Sequence, residues 1–185
     1  MHKLWHRRGY LPHFDGGSTT QTIILRLADS LPKNIHAQLA KADDASSRHK
    51  YLDSMIDRGH GSYLLKDPLN AELVQDALSF FDGQRYRLIA WVIMPNHVHA
   101  MIEQMEGHRL GEIIHSWKRF TANRINGRRG VTGAVWAEDY FDRYIRDADH
   151  YERMVAYIEN NPVKAGLVGK PEDWAFSSFL VRSGR

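Results

Sequence analysis

Residues 91–102 read Trp91-Val-Ile-Met-Pro-Asn-His-Val-His-Ala-Met-Ile102 and are the most informative part of the sequence. A Pro-Asn step between two apolar runs is typical of a tight turn that joins two strands. Side chains of a strand alternate between its faces, so we expect His97 and His99 to share one face. Two imidazoles side by side can hold one metal ion. The stretch therefore predicts an antiparallel hairpin that carries a candidate metal site.

The patterns on either side of this hairpin complete a small sheet. Alternating or continuous apolar residues predict strands over 21–28, 86–94 and 140–146. Helical spacing of apolar residues predicts helices over 34–57, 68–81 and 147–160, and a further helix from Arg109 that Gly127 breaks. This order is that of a split β-α-β arrangement. We therefore predict an α+β, ferredoxin-like fold in which helices pack on one face of an antiparallel sheet.

The same reading divides the chain into three parts. Residues 1–20 are rich in aromatic, basic and turn-forming residues and are interpreted as an N-terminal arm or loop. Residues 21–165 form the main domain. Residues 166–185 carry Trp174, Phe176 and Phe179 and are expected to be a tail that packs back onto that domain.

Composition excludes several classes of protein. The 185 residues include no cysteine, which rules out disulfides and thiolate metal sites and favours a cytoplasmic location. No apolar run approaches the roughly 20 residues that span a bilayer, and the N-terminus lacks the apolar core of a signal peptide. We therefore expect no membrane role.

Basic residues are clustered although the net charge is only +3. One cluster is Lys3, Arg7 and Arg8, and the other comprises Lys118, Arg119, Arg124, Arg128 and Arg129. Clustered positive charge is the footprint expected of a polyphosphate binder. A solvated basic face explains the clusters equally well.

A tyrosine and an amide near the end of the last predicted helix are further candidates. Tyr157 and Asn161 are four positions apart, which places them on one helix face. An unactivated tyrosine, with a pKa of about 10, needs a cation or base nearby to attack phosphorus. A metal held by His97 and His99 would polarise a phosphate, with Asn161 as a third ligand. The alternative makes Tyr157 a packing residue, Asn161 a helix C-cap and the histidine pair structural.

Three segments together carry a resemblance to a known family. They are Pro95-Asn-His-Val-His99, Val135-Trp-Ala-Glu-Asp-Tyr-Phe-Asp-Arg-Tyr-Ile-Arg146 and Tyr157-Ile-Glu-Asn-Asn-Pro-Val-Lys-Ala-Gly-Leu-Val168. In this order and spacing they resemble the REP-associated tyrosine transposases, relatives of the single-tyrosine transposases that carry an HUH (His-hydrophobe-His) motif. The resemblance covers residues 8–179.

This resemblance implies a mechanism as well as a fold. It implies a ferredoxin-like or RRM-like palm with the histidine pair on a central strand and the tyrosine on a neighbouring helix. It implies metal-dependent cutting and rejoining of single-stranded DNA near hairpins of repetitive extragenic palindromes. The resemblance also implies that Tyr157 forms a 5′-phosphotyrosine link and that His97, His99 and Asn161 hold Mg²⁺ or Mn²⁺. The expected location is the bacterial cytoplasm at the nucleoid, and both a monomer and a homodimer stay open.

The DNA contacts are expected away from the cut. Lys118, Arg119, Arg124, Arg128 and Arg129 are candidates for salt-dependent phosphate contacts. In the arm, Arg7, Arg8 and Tyr10 are candidates for reading unpaired bases by stacking and hydrogen bonding. The alternative for the arm is a strap that covers one edge of the sheet.

Two other functions were weighed against this one. A non-catalytic module that binds nucleic-acid hairpins on a similar palm would need neither Tyr157 nor the two histidines. A zinc or manganese hydrolase of small phosphoesters would leave the basic clusters unexplained. The sequence therefore favours the DNA-cleaving and DNA-joining enzyme.

Overall fold

A four-stranded antiparallel sheet forms the centre of the protein, as a computed structural model shows for residues 5–8, 11–14, 18–32, 51, 54–56 and 59–184. Its strands are β3 (Thr20–Arg26), β4 (Tyr86–Met94), β5 (His97–Gln104) and β6 (Phe141–Tyr144), in the spatial order β4-β5-β3-β6. The two N-terminal strands, β1 (Trp5–Arg8) and β2 (Leu11–Phe14), form a separate hairpin. The predicted α+β fold with an antiparallel sheet is confirmed.

Strand register fixes which residues share a face with the histidines. On β4, Met94 lies opposite His97 and Val92 lies opposite His99. On β3, Arg26 and Ile24 lie opposite the same two histidines. Directly paired residues project to the same side of a sheet, so these side chains line one surface, which we call the histidine face.

Helices cover both faces of the sheet. The helices are α1 (Pro68–Ser79), α2 (Leu110–Arg129), α3 (Ala148–Glu159), α4 (Asn161–Lys164) and α5 (Ser178–Arg182). Helices α1 and α2 pack on the face opposite the histidines, where Val74 and Trp117 join Val98 in one buried cluster. Helix α3 packs Val155 and Ile158 against the histidine face. The expectation of helices on one face was wrong, because β4 and β5 are apolar on both sides and each side must be buried.

Helix ends follow the sequence with one exception. Helix α1 begins at Pro68, as predicted, and Asp67 caps it by accepting from the amide of Leu69. Helix α2, however, continues through Gly127 and ends at Gly130, which adopts a left-handed φ of 63°. A glycine inside a helix costs only about 1 kcal/mol, so a long apolar face can carry the helix past it.

The chain ends complete the domain. The N-terminal arm contains the β1–β2 hairpin rather than only a loop, and β2 runs beside the edge strand β6. The C-terminal tail packs on β4, where the Trp174 indole donates to the Ile93 carbonyl at 3.0 Å. The helix predicted over 34–57 lies largely outside the described residues, although Tyr51 and residues 54–56 are helical. Among the described helices, none is long and apolar enough to cross a membrane.

Candidate functional site

The two histidines of β5 meet at their imidazole nitrogens. The Nε2 atoms of His97 and His99 are 3.0 Å apart, and the ring centroids are 4.8 Å apart with the rings nearly perpendicular. Both side chains are buried, with 1% and 4% of their surface exposed. The alternation of β5 therefore places both side chains on the histidine face, where their Nε2 atoms meet.

A neighbouring amide fixes the orientation of one of these rings. The Asn96 amide nitrogen donates to the carbonyl of Ile56 at 3.0 Å and more weakly to that of His60 at 3.4 Å. This turns Oδ1 of Asn96 toward Nδ1 of His97, 2.7 Å away. An amide oxygen only accepts, so Nδ1 must be the donor, and Nε2 of His97 keeps a lone pair.

The electrostatics keep His97 neutral. Burial, reinforced by the ammonium group of Lys164, lowers the pKa of His97 to about 3. A neutral imidazole whose Nε2 carries a lone pair is the form that binds metal ions.

The donor set fits a divalent metal ion. Neighbouring ligands that bind one ion at about 2.1 Å lie roughly 3 Å apart, which matches the separation of the two Nε2 atoms. Within the described ranges, no group of three or more His, Cys, Asp or Glu side chains could hold a metal ion. A third protein ligand from this part of the chain would therefore have to be of another type, such as an amide oxygen.

Asn161 offers such an amide. Its side chain is fully buried, and neither its Oδ1 nor its Nδ2 has a hydrogen-bond partner in the described part of the chain. Asn161 does not lie on the helix of Tyr157, because Asn160 leaves helical angles and Asn161 begins α4. The C-cap position of α3 belongs to Asn160. The alternative role of Asn161 as that cap is therefore wrong, and a buried amide without a partner fits a ligand position.

Tyr157 lies beside the histidines. Its ring centroid is 5.8 Å from that of His99, with an interplanar angle of 86°. The side chain is half-buried, so the phenol is not enclosed in the interior. The Lys164 ammonium donates to its hydroxyl at a distance of 3.4 Å. The structure thus brings together the predicted nucleophile and the predicted metal-binding pair; their roles remain predictions.

The predicted DNA-contacting residues fall into two groups. Helix α2 lies on the face opposite the histidines, and Arg119, Arg124 and Arg129 are exposed there. Lys118 instead donates to the carbonyls of Ala137 and Glu138, both at 2.9 Å. Arg128 contacts Asn70 at 2.6 Å and Asp67 at 3.4 Å. Arg7 and Arg8 lie on β1, and the structure does not describe their side chains. Tyr10 lies outside the described residues.

Sequence reasoning missed several residues near the site. The turn prediction gives Asn96 no part in the site, and no role is indicated for Lys164 within the third quoted segment. Arg143 pairs with Thr22, two residues along β3 from Ile24, so strand alternation places it on the histidine face. Burial and the nearby guanidinium groups of Arg143, Arg146 and Arg153 lower the pKa of His150. Continuing the alternation from His99 across β3 to β6 could have identified Arg143.

A known protein family matches the part of the chain that carries these residues. The family described as "Transposase IS200 like" matches residues 62–161, which is more than half of the chain and includes the histidine pair, Tyr157 and Asn161. The chain belongs to this family of IS200-like transposases.

The matches to individual relatives cover only part of each relative's length. The REP-associated tyrosine transposase of Escherichia coli (strain K12) is 30% identical over 94 residues, which are 51% of this chain and 54% of that protein. A Haemophilus influenzae relative is 26% identical over 107 residues, covering 51% of this chain and 59% of its own. The chain thus spans somewhat over half the length of these relatives.

A solved structure supports the fold. The structure of a REP-associated tyrosine transposase bound to a REP hairpin superposes with a TM-score of 0.62 at 21% identity, covering 97% of this chain and 85% of that one. At this identity, the likeness is one of fold.

Proposed function

We propose that this protein is a metal-dependent single-stranded DNA endonuclease and strand transferase that acts at palindromic repeat hairpins through a 5′-phosphotyrosine intermediate. The observation that carries the proposal is the ring contact between Tyr157 and His99, whose Nε2 atom meets that of His97, in a member of the IS200-like transposase family. A tyrosine next to a metal-binding pair is the combination that phosphoryl transfer to a phenol requires.

Tyr157 acts as the nucleophile in the proposed reaction. Its Oη forms a bond to phosphorus as the bond from phosphorus to the 3′ oxygen of the preceding nucleotide breaks. The phenol proton passes through water to the released 3′ oxygen, so one strand ends in a 3′-OH and the other is linked through its 5′ phosphate to Tyr157. Attack by another 3′-OH reverses the step and joins strands without an external energy source.

His97, His99 and Asn161 would hold Mg²⁺ or Mn²⁺. When bound, the ion polarises the scissile phosphate and stabilises the charge that develops on it. Asn96 keeps the Nε2 lone pair of His97 directed toward His99. Burial of both imidazoles keeps water away from these nitrogens.

The proposed partner is a DNA hairpin with a single-stranded flank. The similar solved protein is bound to a REP hairpin, which supports this substrate class. Arg143 lies on the histidine face, and Arg146 and Arg153 lie near His150 on α3, the helix that packs on that face, so these arginines suit phosphate contacts by the strand that is cut. The exposed Arg119, Arg124 and Arg129 of α2 suit contacts by the stem. This substrate would place the protein at the nucleoid.

A covalent adduct tests the proposal. A 3′-labelled oligonucleotide that carries a palindromic hairpin and a single-stranded flank is incubated with the protein and Mn²⁺, and the denatured products are separated. We expect a labelled protein adduct that Tyr157→Phe abolishes and that the matched control Tyr151→Phe, on the same helix, retains. His97→Ala should abolish cleavage while hairpin binding persists. Cleavage that continues in Tyr157→Phe would exclude the proposed nucleophile.

A further inference from the structure

We propose that Lys164 is a further catalytic residue, whose ammonium group offsets the negative charge on Tyr157 Oη when the DNA is cut and again when it is rejoined. This inference rests on the proposed function, since it assigns a partner to the nucleophile of that reaction.

The contact is with the reacting atom itself. Nζ of Lys164 lies 3.4 Å from Oη of Tyr157 and 5.1 Å from the centroid of its ring. A hydrogen bond from an ammonium group is stronger than one from a neutral donor and strengthens further as its acceptor becomes negative. A lysine in this position therefore favours the more negative oxygen of the attacking or departing phenol.

An interruption of the helix between α3 and α4 accompanies this contact. In one continuous helix, residues seven apart are displaced by about 10 Å along the axis. Here α3 ends at Glu159, Asn160 adopts φ −86° and ψ 0°, and Pro162 lies in the first turn of α4. The Lys164 amide then donates to the Asn160 carbonyl at 3.0 Å, which anchors the backbone of the lysine.

Lys164 also affects the histidine pair electrostatically. Its charge contributes to the lowered pKa of His97, so the ammonium lies within electrostatic range of the histidine pair. The lysine is exposed, so its side chain has access to a phosphodiester that enters from solvent. One cation thus faces both the nucleophile and the place where the scissile phosphate would lie.

The reaction needs such a group in both directions. In cleavage, the phenol oxygen must carry negative charge as it attacks, and in rejoining the same oxygen departs with negative charge from phosphorus. Because the two directions share one transition state, a group that stabilises charge on Oη accelerates both. Removing one preorganised donor to a developing oxyanion typically lowers a rate by about 100-fold or more.

Three substitutions test the role. Lys164→Met keeps the aliphatic chain but removes the charge, Lys164→Arg keeps the charge, and Lys170→Met is a control at another exposed lysine. With a saturating hairpin oligonucleotide and Mn²⁺, we expect Lys164→Met to form adduct about 100-fold more slowly. We expect Lys164→Arg to stay within about tenfold of the wild type, and Lys170→Met to match it. The thermal unfolding midpoint should not change in any of them.

Binding and rejoining separate this role from a DNA contact. Hairpin affinity of Lys164→Met should stay within about threefold of the wild type, since exposed charges add little individually. Adduct isolated after long incubation should release its DNA to a strand with a free 3′-OH with a similar rate loss. Equal losses in affinity and cleavage rate, or rejoining at the wild-type rate, would overturn the assignment.

The outcomes distinguish this inference from the proposed function. If the wild type forms an adduct that Tyr157→Phe lacks, and Lys164→Met forms it at the wild-type rate, the role of Lys164 alone is wrong. If the wild type forms no adduct, the proposed function falls and this inference falls with it.

Discussion

Oδ1 of Asn96 accepts a hydrogen bond from Nδ1 of His97 at 2.7 Å, and this bond determines which nitrogen of His97 can bind a metal. The amide cannot turn round without losing its donation to the Ile56 carbonyl. Outer partners of this kind orient ligating histidines and raise their basicity. The turn that joins β4 to β5 therefore also prepares the metal site.

Replacing Asn96 should weaken metal binding. Asn96→Leu removes the acceptor for Nδ1, so we expect its Mn²⁺ affinity to fall by roughly 10- to 100-fold. Asn96→Asp retains an acceptor oxygen and should lose less than Asn96→Leu. Titration of free Mn²⁺ by electron paramagnetic resonance measures both, with Asn123→Ala on the exposed side of α2 as the control. Unchanged affinity in Asn96→Leu would contradict this role.

Asn161 should show opposite effects on stability and on metal affinity. A buried amide without hydrogen bonds costs about 1 to 3 kcal/mol, and Asn161 has no partner in the described residues. We therefore expect Asn161→Leu to stabilise the metal-free protein by about 1 kcal/mol while lowering Mn²⁺ affinity at least tenfold. Urea unfolding in EDTA and Mn²⁺ titration test the two parts. A destabilised variant with normal affinity would assign Asn161 a purely structural role.

The arginines near the histidine face should contribute to salt-dependent DNA binding. Each phosphate contact adds about 0.7 to the slope of log affinity against log salt for a single strand. The double variant Arg146→Ala/Arg153→Ala should therefore flatten the slope by about 1.4. Lys118→Met/Arg128→Ala is the matched control, because both side chains already bind groups of the protein. Equal flattening in the control would place the phosphate contacts on α2.

Ser178 should stabilise the packing of the C-terminal tail against α3. Its hydroxyl donates to the Glu159 carboxylate at 2.8 Å and accepts from the Trp91 amide at 3.0 Å. Ser178→Ala leaves both buried groups short of a partner, so we expect a loss of about 1 to 3 kcal/mol in unfolding free energy. The exposed Ser183→Ala should change it by less than about 0.5 kcal/mol. Equal stabilities in denaturant titrations would contradict this account of the tail.

Most of the fold could be predicted from the sequence because its local signals for turns and helix caps agree with the tertiary structure. The Asp67-Pro68 start of α1, the Pro95-Asn96 turn and the Asp147 cap of α3 each use a residue whose chemistry favours that geometry. Helix placement was harder, since a strand that is apolar on both sides does not reveal which helix covers which face. Gly127 was misleading because packing of α2 outweighs the low helix propensity of one glycine.

Only part of the candidate site could be predicted, because local spacing rules do not reveal contacts that depend on tertiary structure. The spacing of His97 and His99 places both side chains on one face of the sheet through strand alternation. The contact of Lys164 with Tyr157 depends on the interruption of the helix at Asn160. The spacing rule for a continuous helix does not apply across such an interruption. The engagement of Lys118 by the carbonyls of Ala137 and Glu138 is a tertiary contact that no charge pattern in the sequence indicates.

The proposed phosphotyrosine link can be tested by locating the covalent bond between protein and DNA. Trypsin releases residues 154–164 as one peptide, Met-Val-Ala-Tyr-Ile-Glu-Asn-Asn-Pro-Val-Lys, in which Tyr157 is the only hydroxyl-bearing side chain. After nuclease trimming of the adduct, mass spectrometry should find a nucleotide attached to this peptide through a phosphate on Tyr157. Attachment at any other residue, or DNA cleavage without a peptide adduct, would contradict the account.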